Sequence, residues 1–148
     1  MATVVKLSEK ILIVIEHRPT PKQRPAWSKG RAYTPKKTRD YEALLANVAQ
    51  ATMYMNKKKR FDSKTPLRVT ATFVFEPPKS WSKKKRQDAL DGVTYPILSN
   101  TGDVDNLLKS CLDSFNGIVF DDDKTIVEIV SKKKYGEKNQ IVVLVEEV

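Results

Sequence analysis

The stretch DVDNLLKSCLDSFNGIVFDDDKTI, residues 103–126, decides how the rest of the chain is arranged. Apolar residues recur in it at three- and four-residue spacing, the pattern of a helix with one buried face; they are Val104, Leu107, Leu108, Cys111, Leu112 and Phe115. Asn116-Gly117 predicts the end of that helix. Residues 118–120 then predict a short strand that returns along it, and Asp121-Asp122-Asp123 follows the strand.

Acidic residues stand near both ends of this stretch. At about 100° per residue, Asp105, Lys109 and Asp113 fall on one line at the edge of the apolar stripe, and Asp103 lies just before the helix. A returning strand can bring the Asp triplet beside the helix start, so these carboxylates could share one site. Each residue also has a structural interpretation, with Asp103 as a helix cap, Asp105 as a first-turn acid or the i,i+4 partner of Lys109, and the triplet as a solvated turn.

Charge is unevenly distributed along the chain. The 148 residues include 27 Lys and Arg against 18 Asp and Glu, a net charge of +9. Six Asp and one Lys lie in residues 103–123, so the remainder carries 26 basic against 12 acidic residues. A basic body around one acidic patch suits a metal-using enzyme that acts on a polyanion. A highly charged, soluble surface explains the excess of charge but not its segregation.

Several classes of protein are excluded or disfavoured. A single cysteine, Cys111, excludes an intramolecular disulfide and suits a reducing compartment. His17 is the sole histidine, which disfavours a His-rich metal site or a Ser-His-Asp triad. The longest apolar run, residues 11–15, is too short to span a membrane, and no signal peptide is visible. We therefore expect a cytoplasmic protein with no membrane partner and no small-molecule cofactor.

The other segments predict one α+β domain over residues 1–148, with a mixed sheet packed against helices. Strands are expected at residues 10–16, 67–75, 126–130 and 141–145, and helices at residues 38–55 and 82–90, the second capped by Ser82. Residues 17–35 are rich in proline and predict a loop or an extended segment. Trp81 is expected to fasten its helix to the core. For Trp27, base stacking and anchoring of the loop in the core are equally supported.

Two blocks of sequence resemble the RusA-type Holliday junction resolvases, metal-dependent endodeoxyribonucleases common in phages and prophages. The first block combines Asp-x-Asp-Asn-x-x-Lys from Asp103 with Asp113, Asn116-Gly117 and an acidic pair three residues before Ile126. The second is PKQRP at residues 21–25, followed by AYTPKKTRDYE at residues 32–42. Together they anchor the chain from about residue 11 to its C-terminus.

The resemblance implies a function and a set of site residues. The activity would be resolution of four-way DNA junctions by paired symmetric nicks, in recombination and repair, by a homodimer in a prokaryotic host. Asp103, Asp105 and Asp123 match the metal-binding carboxylates, with Asp122 as the alternative in the last position, and Lys109 matches the essential lysine. Carboxylates suit Mg²⁺, and Mn²⁺ is expected to substitute for it. After the predicted strand, alternation would turn Asp121 and Asp123 to one side and Asp122 to the other.

DNA contacts are expected from basic residues outside this acidic stretch. They are Lys22, Arg24, Lys29, Arg31, Lys36, Lys37, Lys83, Lys84, Lys85 and Arg86. Two other functions remain open at this point. One is a nuclease of the same family that acts on flaps, forks or packaging intermediates. The other is a non-enzymatic nucleic-acid-binding protein, which the basic charge alone would predict but which gives no role to the aligned carboxylates and Lys109.

Overall fold

The computed structural model describes residues 9–23 and 26–148, without the side chain of Ala26. Arg24 therefore lies outside the described residues. Within them, the elements in chain order are β1 (Lys10–Ile15), β2 (Ala26–Ser28), β3 (Arg31–Tyr33), α1 (Lys36–Met55), β4 (Leu67–Phe75), α2 (Lys83–Leu90), α3 (Val104–Phe115), β5 (Ile126–Tyr135) and β6 (Gln140–Glu147). This is the α+β domain with a mixed sheet that the sequence predicts.

The main sheet has the strand order β1-β6-β4-β5. β6 runs antiparallel to β1 and to β4, whereas β4 and β5 are parallel. Alternate residues of β1 and β6 are buried, and β4 in the middle of the sheet buries nearly every second residue completely. α1 and α3 contact each other and cover this face, so the apolar stripe of α3 is the centre of the core.

Two connections make this topology possible. Residues 76–125 join the parallel strands β4 and β5 and carry α2 and α3, because parallel strands need a long crossover. Between β5 and β6 the chain passes over the end of β4. There the Gly136 amide donates to the Phe75 carbonyl at 3.0 Å, and a Cβ on Gly136 would lie 2.5 Å from Val74 Cγ1. Only glycine fits this crossing without displacement of Val74.

Some local predictions are confirmed. Ser82 caps α2, since its Oγ accepts a hydrogen bond from the Lys85 amide at 3.2 Å. Trp81 packs partly buried against the core, edge-on to Tyr135, as the anchoring interpretation expects. By contrast, Trp27 is 74% exposed, so it does not fasten its segment to the core.

Other local predictions are wrong. Residues 118–120 do not form a strand, because the chain turns tightly after α3 and the Gly117 amide donates to the Phe120 carbonyl at 2.8 Å. The prediction of a loop or extended segment at residues 17–35 is confirmed, however, since β2 and β3 pair there as a short hairpin. β5 continues through the lysine run to Tyr135 rather than ending at residue 130. α1 begins two residues before Thr38, after Pro35.

No helix in the described part of the chain combines the length and apolar character needed to cross a membrane.

Candidate active site

A turn of 3₁₀ helix (Ser99–Thr101) precedes α3. Two other parts of the chain contact the turn and Gly102, which follows it. From β5, Lys133 Nζ donates to the Gly102 carbonyl at 2.6 Å and to Thr101 Oγ1 at 3.2 Å. On the other side, Pro21 lies so close that a Cβ on Gly102 would be 2.6 Å from its Cγ. Gly102 also has φ +76°, which favours glycine. The backbone immediately before Asp103 is thus held by packing against Pro21 and by the hydrogen bonds from Lys133.

Asp103 and Asp105 present carboxylates at the N-terminus of α3. Asp103 occupies the N-cap position with extended backbone angles, yet its side chain forms no capping hydrogen bond. Asp105 is in the first turn, where the helix dipole favours an acid, and its Oδ1 accepts a hydrogen bond from the Asn106 amide at 2.9 Å. Both residues are exposed. The carboxylate of Asp103 is therefore not used for capping, contrary to its structural interpretation.

The Asp triplet divides into two parts. Asp121 forms an ion pair with Arg60, whose Nε lies 2.7 Å from Asp121 Oδ1. Asp122 caps a second 3₁₀ turn (Asp123–Thr125), with its Oδ1 accepting from the Lys124 amide at 3.1 Å. The Asp123 amide donates to Asn116 Oδ1 at 3.0 Å, which ties this turn to the end of α3.

The carboxyl groups of Asp122 and Asp123 contact each other. Their hydrogen bond, together with partial burial, raises the pKa of Asp123, while the nearby ammonium group of Lys109 opposes that rise. The pKa of Asp122 is lowered, first by the hydrogen bond from the Lys124 amide and then by Asp123. The 3₁₀ turn begins only at Asp123, and Asp122 itself has extended backbone angles, so the predicted alternation of the triplet stays a prediction.

Lys109 lies on the exposed edge of α3 and contacts Asp113 rather than Asp105. Its Nζ is 2.8 Å from Asp113 Oδ1, and this hydrogen bond is the main reason that the pKa of Lys109 is raised. The carboxyl group of Asp123 raises that pKa further, although by less. Asp113 therefore binds the Lys109 ammonium group, and the charge of Asp123 also acts on it.

Lys22 adds a second cation to this group. Its Nζ lies 3.1 Å from Asp113 Oδ2 and 3.2 Å from Glu42 Oε1, and its amide donates to Asn106 Oδ1 at 2.6 Å. Lys22 thus joins the proline-rich segment to α1 and α3. Its ammonium group is bound within the protein, a structural role that the sequence did not predict, and its contact with DNA stays a prediction.

The acidic residues fit a hard divalent cation by their chemistry, since all candidate donors are carboxylate oxygens. In the described part of the chain, no group of three His, Cys, Asp or Glu side chains is close enough to hold a metal ion in this conformation. Asp103 and Asp105 start the helix, whereas Asp122 and Asp123 lie beside the later part of it. The structure places Asp123 near Lys109, but it does not bring all the predicted metal ligands together.

The other predicted DNA-binding residues lie in two exposed groups. Lys29 and Arg31 belong to the β2–β3 hairpin, and Lys36 and Lys37 follow it at the start of α1. The second group is on α2 and comprises Lys83, Lys84, Lys85 and the half-buried Arg86. Lys85 Nζ lies 4.3 Å from the centre of the Trp81 ring, a cation–π contact that orients this side chain.

Sequence analysis missed three residues that position the site. Residue spacing alone does not indicate that Lys133 or Arg60 positions the site. Asn116 was assigned only to the helix end. A signal for Lys133 exists, because period-2 alternation through Ser131 and Tyr135 puts it on the inner face once β5 is extended.

Comparison with known proteins identifies the family of the chain. A family model described as Endodeoxyribonuclease RusA matches residues 16–146, which is most of the chain. A protein of Bacillus subtilis (strain 168), named uncharacterized protein YqaN, is 36% identical over 78 residues, which cover 51% of this chain and 54% of that protein. The chain thus spans about half the length of this curated relative.

Proposed function

Because the chain belongs to the RusA endodeoxyribonuclease family, we propose that it is a metal-dependent endodeoxyribonuclease that resolves four-way DNA junctions. The observation that carries this proposal is the edge of α3. Two exposed carboxylates begin the helix, and Lys109 follows one turn after Asp105 with Asp123 as an electrostatic neighbour. The rest of the chain carries a large excess of basic residues, which favours the approach of a phosphate backbone.

Asp103, Asp105 and Asp123 would hold Mg²⁺, with Mn²⁺ as a substitute and Asp122 as the alternative to Asp123. The bound ion supplies Lewis-acid activation of the scissile phosphate and of the attacking water. Two features of the chain support this assignment. The Asp103 side chain is not used as a helix cap, and Asp123 is a partly buried acid close to Asp122 and Lys109.

Lys109 would stabilise the negative charge that develops on the phosphate oxygens during cleavage. Its pKa is raised by Asp113, so the side chain is fully protonated at neutral pH and acts as a point charge, not as a proton acceptor. Asp113 holds the ammonium group at 2.8 Å and is itself held by Lys22. Asp113 and Lys22 are therefore positioning residues for Lys109.

We propose a homodimer as the active form. A four-way junction has near two-fold symmetry, and an isologous dimer presents two identical sites in that relation. The outer face of the sheet is the surface that suits this contact. Leu12 on β1 and Val130 on β5 are about half exposed, and the half-buried Leu144 and Thr70 lie between them in register. Apolar side chains exposed on one face of a sheet can mark an interaction surface.

Cleavage of a synthetic four-way junction, with and without Mg²⁺, tests the proposal directly. Matched duplex, flap and fork substrates of the same strand length serve as the comparison, and Asp105→Asn is the inactive variant. We expect Mg²⁺-dependent paired nicks on the junction, none from Asp105→Asn, and junction binding that Asp105→Asn retains. Faster cleavage of flaps or forks would assign another branched substrate. Binding without cleavage under every metal condition would indicate a non-enzymatic DNA-binding protein.

A further inference from the structure

The β2–β3 hairpin exposes an aromatic ring that folding does not explain. Its turn, Lys29-Gly30, has φ angles of 51° and 76°, the backbone of a tight two-residue hairpin turn. In the register of the hairpin, Trp27 lies opposite Ala32, whose methyl group covers little of the indole ring. Trp27 is 74% exposed as a result. An indole left in water contributes little to folding, so its surface is available to a ligand.

Basic residues are close to this ring in sequence, with Arg31 on the opposite face of the hairpin. Lys29 in the turn and Arg31 in β3 are both exposed, and Lys36 and Lys37 follow at the start of α1. Tyr33 is half exposed on the other face of the hairpin, the face that also carries Arg31. Exposed aromatic rings between phosphate-binding cations form the kind of surface on which nucleobases stack.

Residues 21–23, which precede this hairpin, are bound beside the candidate active site. Pro21 packs against Gly102, and the Lys22 amide bonds to Asn106, next to Asp105. The Gln23 amide donates to Thr38 Oγ1 at 3.3 Å, in the first turns of α1. Trp27 follows Gln23 by four residues, so the length of the chain keeps its Cα within about 14 Å of the Cα of Gln23. DNA that reaches Asp105 therefore lies within reach of the ring.

We propose that Trp27 stacks on a nucleobase exposed at the branch point of the DNA substrate, and so selects branched over regular duplex DNA. In a duplex every base is covered on both faces by its neighbours. At a branch point the stack is interrupted, and a base face or an unpaired base becomes accessible to an aromatic ring. This inference rests on the proposed function, because it takes branched DNA as the substrate.

Tryptophan fluorescence tests the contact, because the chain has two tryptophans. Trp81→Phe leaves Trp27 as the reporter, and Trp27→Phe leaves Trp81, which packs against Tyr135, as the matched control. Each variant is titrated in EDTA with a four-way junction, a matched duplex and a single strand. We expect strong quenching of Trp27 by the junction and the single strand, weak quenching by the duplex, and little change of Trp81.

A binding assay gives a second readout. Trp27→Ala should weaken junction binding about tenfold, the loss typical of one stacked base, and change duplex binding less than about twofold. Trp27→Phe should retain most of the affinity, since a phenyl ring also stacks. Thermal unfolding of both variants should match the parent protein.

The outcomes separate this inference from the proposed function. Equal quenching by duplex and junction would place Trp27 against a groove or the backbone and overturn the stacking. Unchanged Trp27 fluorescence with a junction that is bound and cleaved would also overturn it, while leaving the nuclease assignment intact. Quenching by the junction without any cleavage by the wild-type protein in Mg²⁺ or Mn²⁺ would instead overturn the proposed function.

Discussion

Lys133 of β5 donates a 2.6 Å hydrogen bond to the carbonyl oxygen of Gly102, the residue immediately before Asp103. The edge strand of the sheet thereby fixes the backbone from which the first acidic residue of the site projects. Lys133 also contacts Thr101 Oγ1, and the Thr101 side chain is buried. Lys133 on β5 thus positions Asp103, at the start of α3, through the backbone of Thr101 and Gly102.

Lys133→Met should lower the cleavage rate at least tenfold with a small loss of stability, because Asp103 loses its fixed approach. The expected signature is a higher Mg²⁺ concentration for half-maximal rate, with partial rescue by Lys133→Arg. Lys132→Met, on the exposed face of the same strand, is the control and should keep both rate and Mg²⁺ dependence. An unchanged Mg²⁺ dependence in Lys133→Met would assign Lys133 to stability alone.

Lys109→Ala should reduce single-turnover cleavage by orders of magnitude and leave the fold intact. The Lys109–Asp113 pair is exposed and of the i,i+4 type, so its loss should cost only about 0.3–0.5 kcal/mol in unfolding free energy. Lys138→Ala removes an exposed ion pair with Glu16 and serves as the control for stability and activity. Cleavage at the wild-type rate by Lys109→Ala would return this residue to a purely structural role.

The Asp triplet gives a prediction for each of its members. Asp123→Asn should abolish Mg²⁺-dependent cleavage, because Asp123 is the partly buried acid beside Lys109. Asp122→Asn should slow cleavage less, since an asparagine oxygen can still cap the 3₁₀ turn. Asp121→Asn removes the ion pair with Arg60 and should affect mainly stability.

Rates and thermal unfolding of the three asparagine variants distinguish these roles. Loss confined to Asp122→Asn, with an active Asp123→Asn, would shift the metal ligand by one residue. Loss of activity in Asp121→Asn that Arg60→Ala does not reproduce would make Asp121 a functional acid.

The sequence predicted the elements whose residues repeat regularly over many positions. α3 is confirmed because its apolar stripe recurs over the whole helix, and β4 because it alternates throughout its length. The return after α3 was not predictable in the same way. Val119 and Phe120 are β-formers by type, yet both are buried in a tight turn that Gly117 permits. Three residues are too few for a period to decide between strand and turn.

Residue spacing also identified the acidic residues of the candidate site, but it did not predict which residues they contact. Lys109 can reach Asp105 or Asp113, both four residues away, and the choice of Asp113 depends on Lys22, which approaches from a segment far away in sequence. Arg60 finds Asp121 for the same reason, through contacts between distant segments. Such contacts come from tertiary packing, which residue spacing does not encode.

The exposed row on the outer face of the sheet leads to the last prediction. Leu12→Glu places a charge at the β1 end of the row that Leu12 forms with Leu144, Thr70 and Val130, so a dimer built on this face should dissociate. Sedimentation should then show a shift from dimer to monomer, and junction cleavage should change from paired to single nicks. Tyr54→Glu, at an exposed position on α1, is the control and should remain dimeric. A Leu12→Glu variant that stays dimeric would move the interface elsewhere, and a monomeric wild-type protein that still makes paired nicks would contradict the proposed dimer.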